Sequence, residues 1–305
     1  MLSYRHIFHA GNHADIFKHT TLILLLEHLN EKEKPYTVID THAGAGRYDL
    51  NDERAQKTGE AEKGIKKMLA AQTVCRIQNT VPEIRVYTDF VSSCLSRGFY
   101  PGSPEIERSF MRGADCLILC ELHTTEIDIL KENMSSKDSG HFPRVQIHHR
   151  SGYEALHALT PPPVKRGLVF TDPSYEDASE YVQTAESFAD VHDRWPAATL
   201  ALWYPLIAHR KIECSTMKQK ITASVKSLSA ACDILDAQLL VNTEDSHTET
   251  TLEKAGDSST PRLYGSGMFI VNPPWKLGEK LEAILPCLAE TIGTGSNGSW
   301  SVKNL

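Results

Sequence analysis

Two kinds of hydrophobic pattern alternate along the chain. Short apolar runs at 36–40, 115–122, 145–148, 167–172, 199–204, 234–241 and 267–271 have no polar residue every second place, which is how strands buried on both faces read. Between them lie stretches at 14–29, 125–134, 151–159, 178–190 and 215–230, where apolar positions recur every three or four residues as on a helix. In the first of these, Ile16, Phe17, Thr20, Leu22, Ile23, Leu24 and Leu26 predict a wide buried face, with Lys18 and His19 on the less apolar side. Strand and helix alternating over nearly the whole length predict an α/β, Rossmann-like fold. Its mostly parallel sheet would have seven strands and helices on both faces.

Two segments break the alternation. About 65 residues separate the Gly-x-Gly turn after the first strand from the second strand, whereas a plain crossover needs a dozen or more. The polar, charged stretch from Asp49 onward therefore predicts an inserted helical subdomain over 50–98, ending near Phe99-Tyr100-Pro101-Gly102-Ser103-Pro104. The Gly- and Ser-rich segment 294–305 reads as a frayed tail. All of this fits in one domain spanning 1–305.

Composition narrows the class. At 41% hydrophobic and 23% charged residues the chain is that of an ordinary globular protein, with no apolar run near the roughly 20 residues that span a bilayer. Arg5, Asp15 and Lys18 interrupt the place where a signal peptide needs an apolar core, so a cytoplasmic protein without membrane contact is expected. Seven cysteines without a C-x-x-C pair, and His9 and His13 without a third ligand in pattern, predict no metal site. The net charge of −7 disfavours a protein that coats nucleic acid non-specifically. Yet ten of 32 Lys/Arg and ten of 39 Asp/Glu fall in residues 1–67, so the acidic excess lies beyond them. Six of the fourteen histidines fall in the first 42 residues, making that end the better polyanion face.

The residues with chemistry stand just past strand ends, where parallel α/β sheets bind ligands. Asp40-Thr41-His42-Ala43-Gly44-Ala45-Gly46 puts an acid and then two glycines at the end of the first strand, so the backbone can pass close beneath a cofactor. Asp49 stands where G-x-G-x-x-G has its third glycine, which disfavours a pyrophosphate and a nicotinamide dehydrogenase. S-adenosylmethionine carries no phosphate, and Glu121 at the end of the second strand is the acid that could hold both of its ribose hydroxyls.

Asp172-Pro173-Ser174-Tyr175, after the fourth strand, resembles the (Asp/Asn)-Pro-Pro-(Tyr/Phe) motif of amino methyltransferases. Their substrate nitrogen is a weak nucleophile because its lone pair is delocalised. Asp172 and the Pro173 carbonyl would each accept an N–H and aim that lone pair at the methyl group, while Tyr175 would stack on the flat substrate. Asn272-Pro273-Pro274-Trp275 matches better by letter but follows the last strand, so position favours Asp172. Methylation of adenine in RNA or DNA, of guanine N2 or of protein glutamine all fit, as does a non-catalytic RNA-binding assembly factor.

The chain is similar to the RlmJ family at Tyr4-Arg5-His6, His9-Ala-Gly-Asn-His13, Lys18-His19, the Asp40 to Tyr48 turn, Tyr100-Pro-Gly-Ser-Pro104, Glu121-Leu-His123, Leu202-Trp-Tyr-Pro205 and Asn272-Pro-Pro-Trp-Lys-Leu277. The resemblance implies a class I methyltransferase fold and S-adenosylmethionine-dependent N6-methylation of an adenine in bacterial 23S ribosomal RNA; a monomer is expected. It implies that His19, His42, Ser103, Glu121, Ser151, Gly152 and Asp172 meet the cofactor, alongside Gly44 and Gly46 of the turn. It also implies that Tyr4, His6 and Lys18 meet the RNA. Two departures stand out: Ser151 where Asp is expected before Gly152, and Ser174 where the second Pro is expected.

Overall fold

Eight strands form one sheet in the computed structural model, which describes residues 4–73, 81–135, 142–244, 263–294 and 297–305. In chain order they are β1 Thr37–Asp40, β2 Cys116–Glu121, β3 Arg144–His149, β4 Gly167–Thr171, β5 Thr199–Leu206, β6 Ile234–Leu240, β7 Gly265–Val271 and β8 Ser299–Asn304. Across the sheet they run β8-β6-β7-β5-β4-β1-β2-β3. β1 pairs in parallel with both β2 and β4, so Thr37 stands opposite Cys116 on one side and Gly167 on the other. β7 is antiparallel to β5 and β6. The chain reverses direction on either side of β1, leaving a crevice at the carboxyl ends of β1 and β4.

The helices follow from where the strands' side chains point. Neighbouring residues of a strand face opposite ways, so Val38, Leu117, Leu119, Leu168 and Phe170 join the core on one face, while Ile39, Ile118, Val169 and Leu200 join the other. The first face is covered by α1 His13–Asn30 and by the insertion, namely α2 Glu53–Thr58, α3 Glu60–Lys63, α4 Ile65–Thr73 and α5 Pro82–Ser96. A ribbon pairing Arg47–Tyr48 with Tyr100–Pro101 closes the insertion, and α6 Ser103–Phe110 follows. Ile65, Met68, Ile84, Tyr87 and Val91 share one apolar core with α1, so the insertion is a layer of this domain. α7 Thr124–Met134 follows β2, and α8 Gly152–Leu159, α9 Ser179–Arg194 and α10 Lys211–Leu228 complete the crossovers. α11 Leu277–Ile292 returns to the first face.

Three expectations need correction. Residues 299–304 are not a frayed tail: they form β8 on the sheet edge, paired antiparallel with β6, so the sheet has eight strands rather than seven. Trp300 and Val302 alternate with polar residues as an edge strand requires, and Val302 packs on the core. Second, α1 has no less apolar side. Lys18 and His19 are buried along with the rest of 14–26, because the sheet lies on one side and α5, α6 and α11 on the other. Third, α6 and α11 are absent from the sequence reading; Pro104 and Pro286 sit in them, and proline reads as a breaker. Among the described residues no helix is long and apolar enough to cross a membrane.

Candidate active site

The β1 turn is held by hydrogen bonds to its own acid. The buried Asp40 carboxylate accepts from the His42 amide at 3.0 Å and from the Ser103 hydroxyl, at the start of α6, at 2.7 Å. Burial pushes this carboxyl up to about 7, against the lowering effect of those two bonds. Gly44 follows at φ 58°, a left-handed conformation in which a Cβ would lie 2.4 Å from the Tyr48 hydroxyl. Its amide donates to Glu121 Oε2 at 2.7 Å, and the His123 amide donates to Oε1 at 2.6 Å. The first and second strand ends therefore clamp each other, and each Glu121 oxygen keeps a lone pair.

Helix α1 supplies the opposite wall. Asn12 caps it by accepting from the Asp15 amide at 2.9 Å. Asp15 lies within 3.0 Å of His6 Nε2 and 2.9 Å of Lys18 Nζ. Burial alone would raise the Asp15 carboxyl, but His6, Lys18 and His19 together hold it well below the usual range. Lys18 then reaches Asp172 Oδ2 at 2.5 Å, at the end of β4. Burial works against the Lys18 charge, but Asp15 and Asp172 outweigh it and raise the ammonium above its ordinary value. The Tyr4 hydroxyl lies 3.0 Å from His6 Nδ1 and completes a polar chain from Tyr4 to Asp172.

These groups surround a cavity of about 520 Å³. Tyr4, His6, Lys18, His19, His42, Gly44, Ser103, Glu121, Ser151, Gly152 and Asp172 all line it, brought there from β1, β2, β3, β4, α1 and α6. Gly152 touches the turn so closely that a Cβ would lie 2.3 Å from the Thr41 carbonyl oxygen. Desolvation pushes His42 down to about 4 and His19 down to about 3, so both rings are neutral near pH 7. His42 stands edge-on to Tyr153 at 5.4 Å.

Three sequence-predicted residues lie elsewhere. Gly46 does not line the cavity: a Cβ there would face Leu130 and Met134 of α7, and its carbonyl accepts from the Gly102 amide, so it is a packing glycine. Pro173 is buried and off the lining. Tyr175 is also off the lining, so it is not placed to stack on a substrate. At φ 53° the backbone turns its ring under the loop, onto Tyr181 at 4.4 Å, and its hydroxyl donates to the Trp203 carbonyl at 3.2 Å.

Asn272 of the second Pro-Pro motif stands at the opposite end of the sheet, because β7 runs antiparallel. Its side chain donates to the carbonyls of Pro196 and Ala198 at 2.7 and 2.9 Å and ties two loops together. His9 pairs with Glu60 at 3.0 Å. No group of three His, Cys, Asp or Glu side chains among the described residues could hold a metal ion.

Tyr48, Glu126, Tyr153 and Glu180 also line the cavity and were not foreseen, nor was Asp15, which stands behind the lining and pairs with Lys18. Asp15 stands three and four residues before Lys18 and His19, a helical spacing that puts all three on one face and could have signalled it.

Three comparisons bear on this arrangement. Residues 33–305 match the family model described as "Ribosomal RNA large subunit methyltransferase D, RlmJ". The chain is 36% identical, over 99% of both chains, to the ribosomal RNA large subunit methyltransferase J of Escherichia coli. It is 34% identical, over 99% of this chain and 98% of the other, to the protein of that name from Haemophilus influenzae. A solved structure of a Legionella pneumophila protein superposes with a TM-score of 0.78 at 28% identity, covering 97% of this chain and 98% of that one.

Proposed function

The chain belongs to the RlmJ family of ribosomal RNA large subunit methyltransferases, and from that premise we propose that it methylates the N6 atom of one adenine in 23S ribosomal RNA, using S-adenosylmethionine. The observation that carries this reading is that Glu121 and Asp172 line one cavity, on either side of the β1 turn. A volume of about 520 Å³ lies within the range of small-molecule sites. The free lone pairs of Glu121 suit two vicinal hydroxyls, Ser151 offers a hydroxyl to an adenine edge, and the Thr41 to Gly44 backbone forms a floor. When bound, S-adenosylmethionine supplies a methyl group made electrophilic by its sulfonium.

Asp172 then acts on the substrate nitrogen. Lys18 fixes Oδ2, and Oδ1 has no donor among the described residues, so it is the oxygen available to accept an N–H of the amino group. That bond turns the lone pair toward the methyl group, and orientation supplies much of the rate of an in-line displacement. Once methylated, the nitrogen is strongly acidic, and Asp172 takes its proton late in the step. The Pro173 carbonyl lies off the lining, so Asp172 alone orients the nitrogen in this scheme. With Tyr175 buried, stacking on the base falls to another aromatic group of the wall.

RNA would approach over the N-terminal segment. Tyr4 and His6 line the mouth, and α2 packs against the turn at 6–8. Lys57 of α2 and Lys63 of α3 are exposed and form no ion pair among the described residues, whereas Lys66 pairs with Glu62 at 2.6 Å. The test is transfer of label from S-adenosylmethionine to protein-free 23S RNA from cells lacking the enzyme. The expected result is labelled RNA, lost with Asp172→Ala. Label only in DNA or protein would overturn the substrate, and a fully active Asp172→Ala would overturn the mechanism.

A further inference from the structure

The loop that carries Asp172 is under strain where it lacks its expected proline. Tyr175 holds a left-handed φ of 53°, a conformation that costs a non-glycine residue free energy and persists only where its surroundings enforce it. A second proline would stiffen the preceding position by fixing its φ; this chain has Ser174 there. Ser174 is not idle. Its hydroxyl donates to Glu180 Oε2 at 3.2 Å, in the first turn of α9, and accepts from the Glu176 amide at 3.5 Å. The other end of the loop is tied by the Tyr175 hydroxyl to the Trp203 carbonyl. Asp172 thus hangs from β4 on a loop whose anchors include its own ion pair with Lys18, the buried Tyr175 ring and the Ser174–Glu180 bond.

We propose that Glu180 is a positioning residue for Asp172, and that its hydrogen bond to Ser174 takes over the stiffening that a proline would otherwise give. Burial makes the Glu180 carboxylate costly to leave unbonded, and Ser174 provides the bond. Glu180 acts through the loop and need not touch the substrate, although it lines the same cavity. The inference rests on Asp172 being the group that orients the amino nitrogen.

The test is a double-mutant cycle read in three ways. In the wild-type background, Glu180→Ala is expected to lower kcat roughly tenfold, the low end for a hydrogen bond to a charged group. Cofactor affinity, measured by titration with S-adenosylhomocysteine, should stay within about twofold. Amide exchange across 172–176 should quicken, while Glu180→Gln, which keeps an acceptor, should restore both rate and protection. In the Ser174→Pro background, Glu180→Ala should change kcat by less than about twofold. An equal loss in both backgrounds, or unchanged exchange, would overturn the proposal and assign Glu180 to direct substrate contact or to none. Asp172→Ala measured alongside separates this from failure of the underlying reading: only that variant's full activity removes Asp172 from the reaction.

Discussion

Lys18 joins the N-terminal segment to the reaction loop, with Asp15 at 2.9 Å and Asp172 at 2.5 Å. Removing it leaves Asp172 without its cation and the buried Asp15 paired with His6, so Lys18→Met is expected to lose activity and about 3 kcal/mol of stability, measured by urea unfolding. Asp40 makes a pH-dependent counterpart. Its carboxyl is raised to about 7, so its contribution to stability is complete below the ordinary value near 4 and is withdrawn as pH climbs to 7. Asp40→Asn, whose Oδ1 can accept from the His42 amide while its Nδ2 donates to the Ser103 oxygen, should therefore gain on wild type with rising pH, by about 3 kcal/mol between pH 5 and pH 8 in urea midpoints. A constant difference would mean that Asp40 is not raised. At this scale the sequence reading brings Glu121 and Asp172 together because both follow apolar strands. It misplaces Tyr175, since a motif gives residue order and says nothing of a positive φ that turns a ring away from the cavity.

The helices and strands were legible in proportion to how regular their periods are. β1, β2, β4 and β5 sit within two residues of their predicted bounds, because an apolar run flanked by polar turns has one reading in a parallel sheet. α11 was not legible: Pro286 lies in its interior, and only packing of Leu281, Ile284, Leu285 and Leu288 on the core holds the helix through it. β8 was masked by its Gly- and Ser-rich approach. Its six residues cover the edge of β6, and α11 packs against it, so truncation at residue 296 should lower the melting temperature by several degrees. Cofactor affinity of the still-folded protein should be unchanged, since four strands lie between β8 and β1 in the sheet order. Loss of affinity without loss of stability would contradict that assignment.

Taken whole, the molecule is acidic, with a net charge of −7, yet its proposed partner is a polyanion. Contact must then be local, through the N-terminal segment and the insertion, and sensitive to salt. Lys57→Glu and Lys63→Glu together should weaken RNA binding and lower the slope of log affinity on log salt by about 2, while S-adenosylhomocysteine affinity stays fixed. An unchanged slope would remove the insertion from the RNA face. The central claim, that this cavity methylates an adenine amino group in ribosomal RNA, has its most direct test in the product itself. After reaction of unmodified 23S RNA with labelled S-adenosylmethionine, the RNA is digested to nucleosides and the labelled one identified by mass spectrometry. The expected result is N6-methyladenosine alone, absent with Asp172→Ala; label in 2-methylguanosine, or in no nucleoside, would contradict it.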